Sequence, residues 1–204
     1  MITKQFDIVI IGAGPGGCAC ALALRHSGLK IALIDKAIFP RDKVCGDAIP
    51  GPSFKTVESL SKALGKEMIS FSKAENIVAS RIFSINHQSF TINWYTKSYN
   101  SKRIDFDHFL LNMVKKNVQL EIFQGTKVKQ IIKKASNFKI IGLVNNKTET
   151  QFSTKMIIGA DGANSIAAKK LLNFKLNKNH HCAAVRAYFK GITGLKPNTN
   201  EFHL

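Results

Sequence analysis

Residues 11–28 read IGAGPGGCACALALRHSG. Gly12, Gly14 and Gly17 stand in the spacing G-x-G-x-x-G, directly after the apolar run FDIVII at 6–11. That run is short and rich in β-branched residues, as a strand buried on both faces requires. Pro15 falls at an early helical position, where its missing N–H costs nothing. A run of small and apolar residues then predicts a helix to about His26, ended by Gly28. LKIALID, ending at Asp35, predicts a second buried strand, so 6–35 is one right-handed βαβ unit. In such a unit Gly12 permits the tight turn, Gly14 lets backbone approach a pyrophosphate, and Gly17 lets helix and strand pack closely. The helix N-terminus offers N–H groups and partial positive charge to the phosphates. Asp35 lies 23 residues after Gly12, the distance at which an acid accepts from a ribose diol. Its charge disfavours a 2′-phosphate, although the neighbouring Lys36 weakens that argument. The expectation is FAD or NAD(H), and the opening motif does not choose between them.

The chain has 204 residues, 45% of them hydrophobic, which is enough for a buried core and argues against global disorder. No apolar run approaches the roughly 20 residues that span a bilayer. The start, MITKQFDIVI, reads as a first strand and not as a signal peptide. Cys18, Cys20, Cys45 and Cys182 show no zinc spacing, so no metal site is expected and the thiols read as reduced, in a cytoplasmic protein. The net charge of +17 is spread thinly along the chain without aromatic-and-basic interleaving, which argues against nucleic acid. It suits a phosphorylated substrate or peripheral association with anionic lipid at the inner face of a membrane. His87, His108, His180 and His181 carry no motif.

Beyond Asp35, AIFPRDKVCGDAIPGPSF at 37–54 is a long Pro- and Gly-containing loop of the kind that carries function. A short amphipathic helix is expected at 57–66, and SRIFSINHQSFTINWYTK at 80–97 reads as a β-hairpin turning near His87–Gln88. RIDFDHFLLNMVKKN at 103–117 is a helix whose Phe106, Phe109, Leu110, Met113 and Val114 share one face. Strands are expected at 118–125, 127–134, 138–144 and 150–154. KMIIGA at 155–160 reads as a further buried strand opening into a turn and helix at 161–172, and 181–192 as the last strand. The fold class is α/β: a Rossmann-like domain over 1–70 and 101–172, with part of an inserted antiparallel β-sheet domain over 71–100 and 173–204.

Three further stretches carry a family resemblance. GADGANSIAAKKL from Gly159 resembles the "DG" motif of the flavoprotein hydroxylase superfamily around p-hydroxybenzoate hydroxylase. RIDFD from Arg103 resembles that superfamily's R-x-x-F-D element. FPRDKVCGDAI from Phe39, with RAYFKGI and EFHL later, resembles one branch, the geranylgeranyl reductase family. The resemblance implies FAD as cofactor and hydrogenation of prenyl double bonds on a lipid or pigment, with NAD(P)H or a small carrier as electron donor. It implies that Gly12, Ala13, Gly14 and Gly17 meet the pyrophosphate and that Asp35 and Lys36 lie at the adenosine ribose. Cys45 and Gly46 would lie beside the flavin, Arg103 on the cofactor, Val128 at the adenine and Asp161 turned back toward the cofactor. Cys45 would be a redox thiol, a proton donor or a small residue that fits, and Asp47 a polar group near the substrate face. Each has a plainer structural reading; for Asp161 it is capping of the following helix. The family's chains continue past this point with a second glycine–aspartate motif, so a C-terminally truncated relative is expected. A flavin monooxygenase of the same superfamily, or a non-catalytic flavin- or lipid-binding remnant, are the rival readings.

Overall fold

The computed structural model describes residues 3–175, 177–180 and 182–204; His181, the first residue of the strand expected at 181–192, lies outside them. In chain order the elements are β1 (Thr3–Ile11), α1 (Pro15–Ala23), β2 (Ile31–Ile34), β3 (Ala48–Ile49), α2 (Gly51–Leu60), α3 (Lys62–Ile69), β4 (Glu75–Phe83), β5 (Ser89–Asn100), α4 (Arg103–Asn117), β6 (Glu121–Phe123), β7 (Thr126–Lys133), β8 (Phe138–Val144), β9 (Thr148–Gly159), α5 (Ile166–Leu171) and β10 (Thr199–His203). They fall into two compact units, Met1–Arg41 with Asp107–Ala183 and Asp42–Phe106 with Ala184–Leu204. Residues 42–70 and 101–106, assigned from sequence to the dinucleotide domain, therefore lie in the second unit.

The first unit is a six-stranded mixed sheet in the order β6-β2-β1-β9-β8-β7. The β6, β2, β1 and β9 strands run parallel, and β8 and β7 continue the sheet antiparallel. This is a Rossmann-like α/β fold. β1 sits centrally because Ile8–Ile11 are apolar on both faces, and all four residues of β2 are buried. One continuous β9 replaces the two strands expected at 150–154 and 155–160. Its first half, Thr148–Thr154, pairs with β8 and Gln151–Gly159 runs beside β1, so the two ladders overlap and the chain has no reason to break. Phe6, Phe123 and Phe152 form the aromatic centre, with Phe123 and Phe152 edge-on at 4.9 Å. Ile131 and Ile140 close it from the antiparallel strands, and Ala167 closes it from α5. On α4, Leu111 is fully buried and Phe109 only partly, so the buried stripe is broader than the expected face.

The second unit is built on a four-stranded sheet in the order β10-β4-β5-β3. The expected hairpin is present as β4 and β5, closed at Ser84–Gln88 with His87 in the left-handed region at φ 59°. Two short helices replace the one expected at 57–66. The chain extends at Ser61 (φ −170°, ψ 135°), whose hydroxyl accepts the Ala63 N–H and starts α3. Residues 182–192 form no strand. Arg186 and Tyr188 hold that stretch to the 42–47 loop through their side chains, and the strand that joins β4 is β10, parallel to it from Thr199 against Ala79. No helix among the described residues is long and apolar enough to cross a membrane.

Cys18 sits fully buried in α1 and its thiol donates to the Ala13 carbonyl at 3.3 Å. Burial above all, then the carboxylates of Asp107 and Asp35, push the thiol up to about 12 from an ordinary 9.0. The folded state thus keeps a proton that the unfolded chain releases near 9.0. Stability is untouched below that pH and falls as pH rises toward 12. A Cys18→Ala chain will show a flatter alkaline limb in denaturation followed by circular dichroism. At neutral pH, iodoacetamide will label the exposed Cys45 and Cys182 well before Cys18, read by mass spectrometry.

Candidate dinucleotide-binding site

The carboxyl ends of β1, β2 and β9 meet where open α/β sheets bind ligands. Gly12 turns the chain out of β1 at φ 104°, and a Cβ there would stand 2.3 Å from the Ala160 oxygen. The turn is pressed against the end of β9, where the Ala160 N–H also donates to the Ile11 carbonyl at 2.7 Å. Gly17 lies on the sheet side of α1, and a Cβ there would stand 1.8 Å from the Gly12 oxygen. Both glycines serve packing. Gly14 differs: a Cβ there would meet only Nη2 of Arg41, at 3.6 Å, so its outer face is open. Gly14 caps α1 without a side-chain hydrogen bond, and no acid occupies the first turn. The start of α1 therefore presents uncompensated N–H groups to an anion.

Not every backbone group expected at the pyrophosphate is available. The Gly12 N–H donates to Ile34 O at 2.7 Å, and the Ala13 N–H donates to Asp35 Oδ2 at 2.8 Å. Asp35 is buried, and its other oxygen accepts the Ala37 N–H at 2.8 Å. Its carboxylate first ties the end of β2 to the glycine turn; each oxygen retains a lone pair for a ribose hydroxyl. Asp161 is likewise committed. It accepts the Ile166 N–H at 2.6 Å, the Ala167 N–H at 3.3 Å and the Ser165 hydroxyl at 2.5 Å. The helix-capping reading of Asp161 is thus realised, because the orphan N–H groups at the start of α5 lie within its reach.

Gly12, Asp35, Lys36, Val128 and Asp161 line one cavity of about 390 Å³, with Ile34 and Ile166 as apolar walls. Val128 is buried on β7 beside a bulge that leaves Lys129 out of the ladder. Asp35, Lys36 and Val128, expected at the adenosine, are therefore brought together with Gly12, expected at the pyrophosphate, and Asp161, expected to turn toward the cofactor. The slot has the apolar body and polar rim that an adenosine needs.

Arg41, inside the FPRDKVCGDAI stretch but not singled out from the sequence, stands beside the glycine turn. Arg41 is mostly buried, with Nη1 2.7 Å from Oδ2 of the fully buried Asp107 and its guanidinium over the Phe39 ring at 4.7 Å. Gln124 accepts the Phe39 N–H at 2.7 Å and fixes the start of the same loop. Asp107 is the final acid of the R-x-x-F-D stretch, so the motif itself was the available signal.

The remaining expected residues belong to the second unit. Arg103 is buried at the first position of α4. Cys45 is exposed on the 42–47 loop beside Gly46. Asp47 is not a free polar group: it accepts Arg186 Nη1 at 3.3 Å and the Tyr188 hydroxyl at 2.8 Å. Arg186 also forks onto Asp42 at 2.5 and 2.6 Å and donates to the Lys43 carbonyl at 3.0 Å. The Asp42 bond holds the guanidinium above its ordinary range. Partial burial, then the bond to Asp47, raise the Tyr188 hydroxyl. One arginine thereby gathers the loop that contains Cys45-Gly46-Asp47. An Arg186→Ala chain will be cut by trypsin after Lys43 several-fold faster than the parent, because cleavage follows local opening of that loop. Gel-resolved digestion checks this.

A family model described as pyridine nucleotide-disulphide oxidoreductase matches residues 6–189. The chain is similar to the 1H-pyrrole-2-carbonyl-[peptidyl-carrier protein] brominase of Pseudoalteromonas luteoviolacea, 30% identical over 196 residues, covering 93% of this chain and 46% of the relative. It is similar to a menaquinone reductase of Mycobacterium tuberculosis, 26% identical over 192 residues, covering 92% and 45%. Among solved structures, the flavin-dependent brominase Bmp2 superposes with a TM-score of 0.70 at 23% identity, over 83% of this chain and 41% of that one. The chain spans about half the length of the curated relatives it matches, or less.

Proposed function

The chain belongs to the pyridine nucleotide-disulphide oxidoreductase family, and from that premise we propose that it is the cofactor-binding part of an FAD-dependent oxidoreductase. The observation that carries this reading is the cavity at the ends of β1, β2 and β9, with Gly14 open beside it and Asp35 and Val128 in its wall. The fit is to an adenosine diphosphate moiety. The slot is large enough for an adenosine, and the side-chain atom nearest the outer face of Gly14 is Nη2 of Arg41, 3.6 Å from a built Cβ. When bound, FAD supplies hydride transfer. The chain's own residues bind and orient. The start of α1 faces the phosphates, and Asp35 holds the turn and accepts from the ribose. Arg186 and Tyr188 order the Cys45-Gly46-Asp47 loop.

The finer reading is a geranylgeranyl-reductase-like enzyme that hydrogenates prenyl double bonds, with NAD(P)H as electron donor. The FPRDKVCGD loop supports it, as does similarity to a reductase named for menaquinone, a prenylated quinone. The charge of +17 suits approach to an anionic membrane that carries such a substrate. A second reading, a flavin-dependent halogenase or monooxygenase, is favoured by the similarity to the pyrrole brominase across 93% of the chain.

The test begins with the visible absorption of the purified chain after FAD addition and desalting. Retained flavin supports the site. Its absence from a chain that circular dichroism shows to be folded sinks the reading. With flavin bound, a prenyl lipid incubated anaerobically with reductant will gain hydrogen in pairs by mass spectrometry. NAD(P)H consumption that instead needs oxygen or halide selects the second reading.

A further inference from the structure

We infer that Arg41, oriented by Asp107, is the side chain that grips the diphosphate of the dinucleotide at the Gly14 turn. The inference rests on the reading of this cavity as an FAD site and names a residue that the glycine motif does not contain.

Three observations converge on Arg41. The first is placement. Of all heavy atoms around Gly14, only Nη2 of Arg41 comes within 4 Å of a built Cβ, so the guanidinium faces the open side of that turn. That side is also where α1 begins without an acidic or side-chain cap. Two anion-attracting features, a helix start and a guanidinium, therefore share one small space.

The second observation is unspent bonding capacity. Nη1 is buried and lies 2.7 Å from Asp107, but the approach is not that of an aligned hydrogen bond, and no other acceptor reaches it. A guanidinium carries five N–H donors in a fixed fork. Nη1 is turned onto Asp107, so Nη2, on the Gly14 side, is the donor group that an oxyanion between Arg41 and the start of α1 would meet.

The third is restraint. Asp107 has no exposed side-chain surface, and the ring of Phe39 lies under the guanidinium plane at 4.7 Å. Gln124 holds the Phe39 backbone. A long arginine normally loses rotamer freedom when it binds; here much of that loss has already occurred in the folded protein. Asp107 thus acts as a positioning residue through Arg41. This gives the last acid of the R-x-x-F-D stretch a physical purpose: it aims a cation at the glycine turn.

The test uses the full chain and two probes, ADP and adenosine, titrated by NMR. Arg41→Gln will weaken ADP about 10- to 100-fold, the loss of one charge-assisted hydrogen-bonded contact, and leave adenosine nearly unchanged. Arg41→Lys will fall between, because a point charge replaces the fork. Asp107→Asn will weaken ADP by a smaller factor, and adding it to Arg41→Gln will cost ADP nothing more, the non-additivity of a coupled pair. Equal ADP affinity in Arg41→Gln and parent overturns the inference and leaves the FAD reading standing. So does equal loss of ADP and adenosine, which would make Arg41 a support for the loop alone. A parent chain that binds neither ADP nor FAD overturns the site and this inference together.

Discussion

A Gly17→Ala chain will be recovered largely unfolded, whereas Gly16→Ala, one residue away, will be slightly more stable than the parent. The added methyl at Gly17 would stand 1.8 Å from the Gly12 oxygen, a backbone atom at the crossing of α1 with β1. No side chain can rotate away to relieve it, so α1 must lift from the sheet. Overpacking of a core typically costs about 1–3 kcal/mol and occasionally more. Against backbone that cannot move aside the cost lies at the upper end, a large share of the roughly 5–15 kcal/mol that holds a domain folded. Gly12→Ala will behave similarly, with a methyl 2.3 Å from the Ala160 oxygen and a φ of 104° that an L side chain rarely adopts. At Gly16 a Cβ meets nothing within 4 Å, so alanine there adds helix propensity alone, about 0.5–1 kcal/mol. Gly14→Ala separates folding from binding. Its φ of −72° suits any residue and its Cβ has room, so stability will hold while FAD affinity falls. Urea denaturation of the four variants, with a flavin titration of Gly14→Ala, measures all of this. Equal stability of Gly17→Ala and Gly16→Ala would overturn this account of the turn.

That contrast shows what was legible in the chain and what was not. The roles of Gly12 and Gly17 follow from local geometry: a strand, a tight turn and a helix within a dozen residues leave one solution, and spacing reports it. The parallel strands were legible because continuous apolar runs such as FDIVII suit a strand covered on both faces. Asp161 was legible as a motif but not in its use, since capping α5 and facing a ligand call for the same residue. Arg186 was beyond reach for a different reason. It joins Asp42 across 144 positions, and nothing in RAYFKGI marks a clamp in place of a strand. Where a strand was expected, Arg186 and Tyr188 are drawn by their side chains to Asp42 and Asp47, contacts between distant segments that periodicity does not record. Asp107 carried a signal as the last acid of R-x-x-F-D, but its pairing with Arg41, 66 positions away, did not show in the sequence.

Asp35→Ala will cost about 2–4 kcal/mol of stability and will abolish flavin retention, a double loss that follows from the two tasks of one carboxylate. Two backbone N–H groups depend on it, Ala13 at 2.8 Å and Ala37 at 2.8 Å. Ala13 is fully buried, so water cannot replace the lost acceptor and its N–H is left unmet. The Ala13 bond also spans the end of β2 and the glycine turn, so its removal loosens the turn that presents Gly14. Asp35→Asn distinguishes the tasks. The amide keeps one carbonyl oxygen and can serve either Ala13 or Ala37, but its NH₂ group faces a donor at the other. It will therefore recover part of the stability and little of the binding, since one of the two acceptors proposed for the ribose is lost and the charge is gone. Thermal unfolding with and without FAD reads both effects. In the parent, saturating FAD will raise the midpoint by mass action. In Asp35→Ala the midpoint will be low and FAD will not move it. A full FAD-induced shift in Asp35→Ala would place the adenosine ribose away from Asp35, and with it the cavity between β2 and β7 would lose its claim to the cofactor.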